Sequence, residues 1–81
     1  MRLVNKTPRW DYGEIWVGRK KNYEVRINYA SHPMRKEEPY WYFILNKDSY
    51  SYNSLWEDLK YLSKEECVNV AETKIDELIK K

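Results

Sequence analysis

The chain has 81 residues, enough for one hydrophobic core and too few for two. Hydrophobic residues make up 42% and charged residues 35%, a balance that excludes a disordered tail and fits a globular domain. A single cysteine, Cys67, rules out an internal disulfide, and no Cys/His spacing matches a zinc site.

No apolar run reaches the ~18 residues of a membrane span, and Met1–Lys6 lacks the apolar stretch of a secretion leader. A reduced, cytoplasmic setting is expected. The net charge of +2 hides an asymmetry. Residues 1–36 hold nine Lys/Arg against three Asp/Glu, and residues 37–81 hold six against ten.

Taken in chain order, Leu3 and Val4 read as a short edge strand, and the stretch from Asn5 to Gly13 reads as a loop punctuated by Pro8 and Gly13. Glu14–Gly18 is β-branched and aromatic and reads as a strand, with Arg19–Asn22 as a polar turn. Tyr23–Tyr29 alternates without a break, Tyr23, Val25, Ile27 and Tyr29 facing one way and Glu24, Arg26 and Asn28 the other. Ser31–Pro39 is a charged loop. Tyr40–Leu45 is apolar on both sides, as in a central strand. Asn46–Ser49 turns the chain, and Tyr50–Tyr52 is a candidate fourth strand.

Two capping-box patterns follow. Ser54-Leu55-Trp56-Glu57 predicts a helix over about 54–62 with Leu55, Leu59 and Leu62 on its apolar face. Ser63-Lys64-Glu65-Glu66 predicts a second over about 63–80, its stripe formed by Val68, Ala71, Ile75, Leu78 and Ile79. Its terminal charges suit the helix dipole, with Glu65 and Glu66 at the start and Lys80 and Lys81 at the end. The expected fold is α+β: one domain over residues 1–81, with a three-stranded antiparallel sheet, plus the candidate fourth strand, over about 14–52. The sheet packs on two C-terminal helices in the order β-β-β-(β)-α-α.

Chemistry is sparse. His32 lies in the charged loop and Cys67 in the first turn of the second helix, where Glu65 and Glu66 oppose thiolate formation. The adjacent acidic pairs Glu37-Glu38 and Asp76-Glu77 diverge, and two glycines cannot make a phosphate-binding loop. The expectation is a protein that is not an enzyme and takes no cofactor or metal.

The thirteen aromatic residues exceed what one small core can cover, since each buries about 150–250 Å2. If Ile15, Val17, Val25, Ile27, Trp41, Phe43 and Leu45 face the helices, then Trp16, Tyr40, Tyr42 and Ile44 lie opposite, beside Glu24, Arg26 and Asn28. That second face has two readings. One is a second small core closed by Trp10 and Tyr12 or by the Tyr50–Tyr52 stretch. The other is a contact surface, because Trp, Tyr and Arg dominate binding hot spots.

The candidate binding residues are therefore Trp10, Tyr12, Trp16, Arg19, Lys20, Lys21, Arg26, Arg35, Lys36, Tyr40 and Tyr42. The expected function is a small inhibitor or regulator of the type that phages and mobile elements encode. Its partner would be a larger protein, such as a nucleic-acid-handling or defence enzyme. The alternative is a nucleic-acid binder, with the basic residues on phosphates and Trp16, Tyr40 and Tyr42 on bases. A third reading is a homodimer formed through the aromatic face.

Overall fold

The computed structural model describes residues 1–10, 12–31, 34 and 38–80. A five-stranded antiparallel sheet runs in sequence order, β1 (Val4–Asn5), β2 (Glu14–Lys20), β3 (Tyr23–Ala30), β4 (Tyr40–Lys47) and β5 (Tyr50–Asn53). A 3₁₀ turn (Ser54–Glu57) and one helix, α1 (Lys64–Ile79), complete the chain. The α+β class, the sheet-then-helix order and the strand at Tyr50–Asn53 agree with the sequence reading. The sheet has five strands rather than three or four because the edge strand, at Val4–Asn5 and not Leu3–Val4, pairs with β2 and joins it. The second of the two expected helices is present and the first is not.

The β2–β3 and β4–β5 hairpins each turn on two residues. Lys21 (φ 52°) and Asn22 (φ 71°) take left-handed backbone between Lys20 and Tyr23, the geometry that matches strand twist in a two-residue hairpin. The first half of the polar stretch Arg19–Asn22 is thus strand, and β2 extends to Lys20. Asp48 (φ 50°) starts the tight turn that pairs Lys47 with Tyr50.

Strand β3 keeps its expected alternation. Tyr23, Val25 and Ile27 are buried, and β4 answers with Trp41, Phe43 and Leu45 directly across or beside them. Helix α1 lies on this face against β3 and β4, inserting Cys67, Ala71 and Ile75. A fully buried aliphatic of this size is worth about 1.5–3 kcal/mol relative to exposure, so Val25, Ile27, Leu45 and Ile75 anchor the fold. Ser63 caps α1 as the sequence predicts, its hydroxyl accepting from the Glu66 N–H at 3.1 Å.

The Ser54 pattern works differently. Asn53 is the cap, accepting from the Leu55 N–H at 2.9 Å, and after one 3₁₀ turn Asp58 (φ 57°) ends the run. The chain then returns to the sheet, where Tyr61 and Trp41 exchange two backbone hydrogen bonds of 2.7 and 2.9 Å. A helix over 54–62 would carry Tyr61 away from that pairing and out of the core. Leu62, expected on a buried face, is 82% exposed.

Ser54 is fully buried, and its hydroxyl accepts from the Phe43 N–H at 3.1 Å. The β5 ladder ends at the Ile44–Asn53 pair and Tyr61 meets the sheet at Trp41, so the serine fills the gap between them. Ser54→Ala leaves that N–H buried without a partner and is expected to cost about 1–3 kcal/mol. Thermal unfolding followed by circular dichroism should show the midpoint several degrees lower; an unchanged midpoint would mean the hydrogen bond contributes nothing.

Candidate binding face

Strand pairing decides what lies on the face away from α1. The hairpin pairs Lys20 with Tyr23, Gly18 with Val25, Trp16 with Ile27 and Glu14 with Tyr29, which places these β2 residues on the helix side. Ile15, Val17 and Arg19 therefore occupy the open face. The expectation for β2 is reversed: Trp16 lies under the helix layer, and Ile15 and Val17 do not face it. A single-residue change of parity would have been needed to satisfy their hydrophobicity on the helix side, and the tight turn forbids it.

Trp16 packs against the core rim, its indole N–H donating to Glu14 at 3.0 Å and its ring covered by the Lys64 ammonium 3.4 Å from the centroid. Lys20 is likewise used within the chain, 3.4 Å from Glu72 and 3.3 Å from Asp76 on α1. Burial of that ammonium works against its charge, but the hydrogen bonds to Asp76 and Glu72 outweigh it and raise the Lys20 pKa.

On the open face the rows across the sheet read Ile15–Asn28–Tyr42, then Val4–Val17–Arg26–Ile44–Asn53, then Arg19–Glu24–Asn46–Ser51. Tyr40 extends the Tyr42 column, the two rings 6.1 Å apart. Every buried hydrophobic residue of the sheet belongs to the opposite side, whereas Ile15, Val17, Tyr40, Tyr42 and Ile44 all stay partly exposed. Asn28 Oδ1 is buried here with no hydrogen-bond partner among the described residues.

The segments expected to close a second core do not do so. Trp10 and Tyr12, in the loop between β1 and β2, are 80% and 63% exposed, and Tyr50 and Tyr52 point to the helix side through β5. Of the sequence-derived candidates, the sheet gathers Arg19, Arg26, Tyr40 and Tyr42 on one surface. Lys21 sits at the hairpin tip, while Arg35 and Lys36 lie outside the described residues. Val4, Ile15 and Val17 were missed as surface residues, although hairpin parity with Tyr23–Tyr29 would have assigned the two on β2.

Arg26 is at the middle of this face. Its Nε donates to Glu24 Oε1 at 2.9 Å, and Val17 and Ile44 flank it on the neighbouring strands. Lys60, just before the Tyr61 pairing, extends over the Tyr40 ring at 5.0 Å and lies 3.7 Å from Asp58.

A smaller feature lies on the other side. A cleft of about 220 Å3 runs between α1 and the 3₁₀ turn, bounded by Tyr52, Leu59, Val70 and Lys74. Tyr52 donates to Glu57 at 2.9 Å, and burial followed by that hydrogen bond pushes its phenol up to about 12. Burial, with Glu66 nearby, likewise pushes the Cys67 thiol up to about 12. Among the described residues no cluster of three or more His, Cys, Asp or Glu is placed to hold a metal ion, and no helix is long and apolar enough to cross a membrane.

No protein-family model matches the chain, and neither a curated protein nor a solved structure matches it.

Tyr52 and Cys67 stay neutral in the fold to a higher pH than their ordinary values of 10.0 and 9.0. Their contribution to stability is therefore whole below about pH 9 and is lost as pH rises towards 12. Melting midpoints should fall across that window, and Cys67→Ala should reduce the fall. At pH 8, iodoacetamide should alkylate native Cys67 at least about 100-fold more slowly than the urea-unfolded chain. Equal rates would place the thiol at the surface.

Proposed function

We propose that this chain is a small non-enzymatic binding protein, an inhibitor or regulator that docks on a larger protein through the open face of its sheet. The observation that carries this reading is the one-sided core. Helix α1 covers one face at β3 and β4, and the other presents Val4, Ile15, Val17, Ile44, Tyr40 and Tyr42 around a central arginine. Partly exposed apolar residues grouped in this way mark interaction surfaces. Tyrosine and arginine supply contact area and directed hydrogen bonds at modest entropic cost.

The state of the one cysteine supports a non-catalytic role. The buried Cys67 thiol is held neutral, and a neutral thiol is a poor nucleophile. A nucleic-acid ligand is the second reading. It is favoured by the tyrosine pair and by the excess of cations on the same face.

The test is affinity capture from a lysate of the native host, with and without nuclease, comparing wild type with the double variant Tyr42→Ser/Ile44→Thr. Both substituted positions are partly exposed, so the variant should keep its circular dichroism spectrum and most of its melting temperature. A specific protein should be recovered by wild type regardless of nuclease and reduced about 30-fold or more by the variant, as for loss of a hot spot worth about 2 kcal/mol. Recovery that disappears with nuclease would favour the second reading. Undiminished recovery by the variant would move the site elsewhere.

A further inference from the structure

We propose that the occupant of the open face is an acidic protein surface, and that Arg26 is the anchor that receives its carboxylate. This rests on the protein-docking reading above and assigns the chemistry of the partner. The argument begins with an inventory of charge. Among the described residues the open face carries Arg19 and Arg26 on the strands, Lys6 by continuation of the β1 alternation, and Lys60 over Tyr40. Its carboxylates are Glu24, Asp58 beside Lys60, and Glu38 by continuation of the β4 alternation, and the first two are already ion-paired with cations of the same face.

The remaining charge is positive, and five of the described carboxylates lie on the far side. Helix α1 alone bears Glu65, Glu66, Glu72, Asp76 and Glu77 against Lys64 and Lys74. A packed layer sets the two surfaces about 10 Å apart, beyond the ~8 Å screening length of physiological salt. The helix therefore does little to cancel the field over the open face, yet it repels an acidic partner that approaches from the wrong side. The uneven charge of the two halves of the sequence becomes a difference between two faces, which orients an encounter.

Arg26 has the geometry of an anchor. Glu24 holds the guanidinium through Nε and leaves its terminal N–H groups to form a fork with an incoming carboxylate. Because the side chain is already fixed, less rotamer entropy is lost on binding. Val17 and Ile44 lie directly across on either side, with Ile15 and Tyr42 in the next row, so a docked partner is sealed by apolar contacts that strengthen the ion pair.

Other occupants fit less well. Nucleic acid calls for unpaired cations along a backbone and rings under the bases, whereas this face is aliphatic through Val4, Val17, Ile15 and Ile44, with tyrosines only at one end. A two-fold homodimer through this face sets like charges against each other.

The test is titration of the isotope-labelled full chain, followed by amide NMR shifts, with three probes. These are a blocked pentapeptide Asp-Leu-Glu-Leu-Asp, its charge-reversed counterpart Lys-Leu-Lys-Leu-Lys, and an oligothymidylate about eight nucleotides long. The acidic peptide should shift amides around Val17, Arg26 and Ile44. Its affinity should fall about tenfold or more in Arg26→Met and on raising NaCl from about 50 to about 300 mM. Arg26→Lys should recover only part of the loss, since lysine cannot make the fork.

Equal binding of the lysine peptide, or unchanged binding by a folded Arg26→Met, overturns the assignment and leaves the protein-docking reading standing. Tighter binding of the oligonucleotide, together with nuclease-sensitive capture, overturns both. No shift with the acidic peptide up to roughly 5 mM also overturns it. Light scattering run alongside checks for a second copy docking its acidic helix on this face, and an increase in mass that competes with the peptide would replace the proposed occupant with this chain itself.

Discussion

The pairing of β2 with β3 is the constraint from which the rest of the molecule follows. Two left-handed residues, Lys21 and Asn22, place Lys20 across from Tyr23, and in an antiparallel ladder that pairing sets the facing of every later residue on both strands. Tyr23, Val25 and Ile27 must be buried because they are the strongest apolar alternation in the chain. Gly18 and Trp16 are therefore placed on their side, and Ile15 and Val17 are not. The glycine also has a steric role: a Cβ at Gly18 would come within 2.7 Å of the Arg2 carbonyl, so glycine is what lets the N-terminal segment lie this close to β2 at that point.

Helix α1 covers the sheet face so defined, and its ends are held by polar contacts. Lys64 caps the exposed side of Trp16, and Lys20 reaches across to Glu72 and Asp76. These exposed ion pairs are worth little individually, but they hold the helix over β2, where few of its apolar side chains reach. On the other flank, Ser54 and Tyr61 complete β4 in place of a longer β5. Buried backbone groups need partners, and this edge obtains them from a serine hydroxyl and a returning chain.

The outcome is a domain with one face satisfied and one available. The lysines and carboxylates that bind the helix to the sheet are internal commitments, which removes Lys20 and Trp16 from the set of contact residues. What is left is a smaller and more coherent surface than the aromatic count alone implies: two tyrosines, four aliphatic residues and an arginine held by its own glutamate. Its cations outnumber its carboxylates because the acidic half of the sequence forms the helix on the other side.

The sequence by itself determined the strands, the Ser63 cap and stripe of α1, and the alternation of β3, because each depends on neighbours within a few residues. It also showed an excess of aromatic and basic residues in the first half and β4, among them Arg19, Arg26, Tyr40 and Tyr42, which the sheet brings onto one face. Only the tertiary structure decided which way β2 faces, since Ile15, Trp16 and Val17 are all apolar and local pattern cannot rank them. The same holds for Ser54-Leu55-Trp56-Glu57, a sound helix start by local rules. Its serine is worth more inside the sheet, where it satisfies the buried Phe43 N–H, and Tyr61 is worth more paired with Trp41 than wound into a helix. Long-range burial and hydrogen bonding outweigh a cap of about 1 kcal/mol, and no short stretch of sequence contains that comparison.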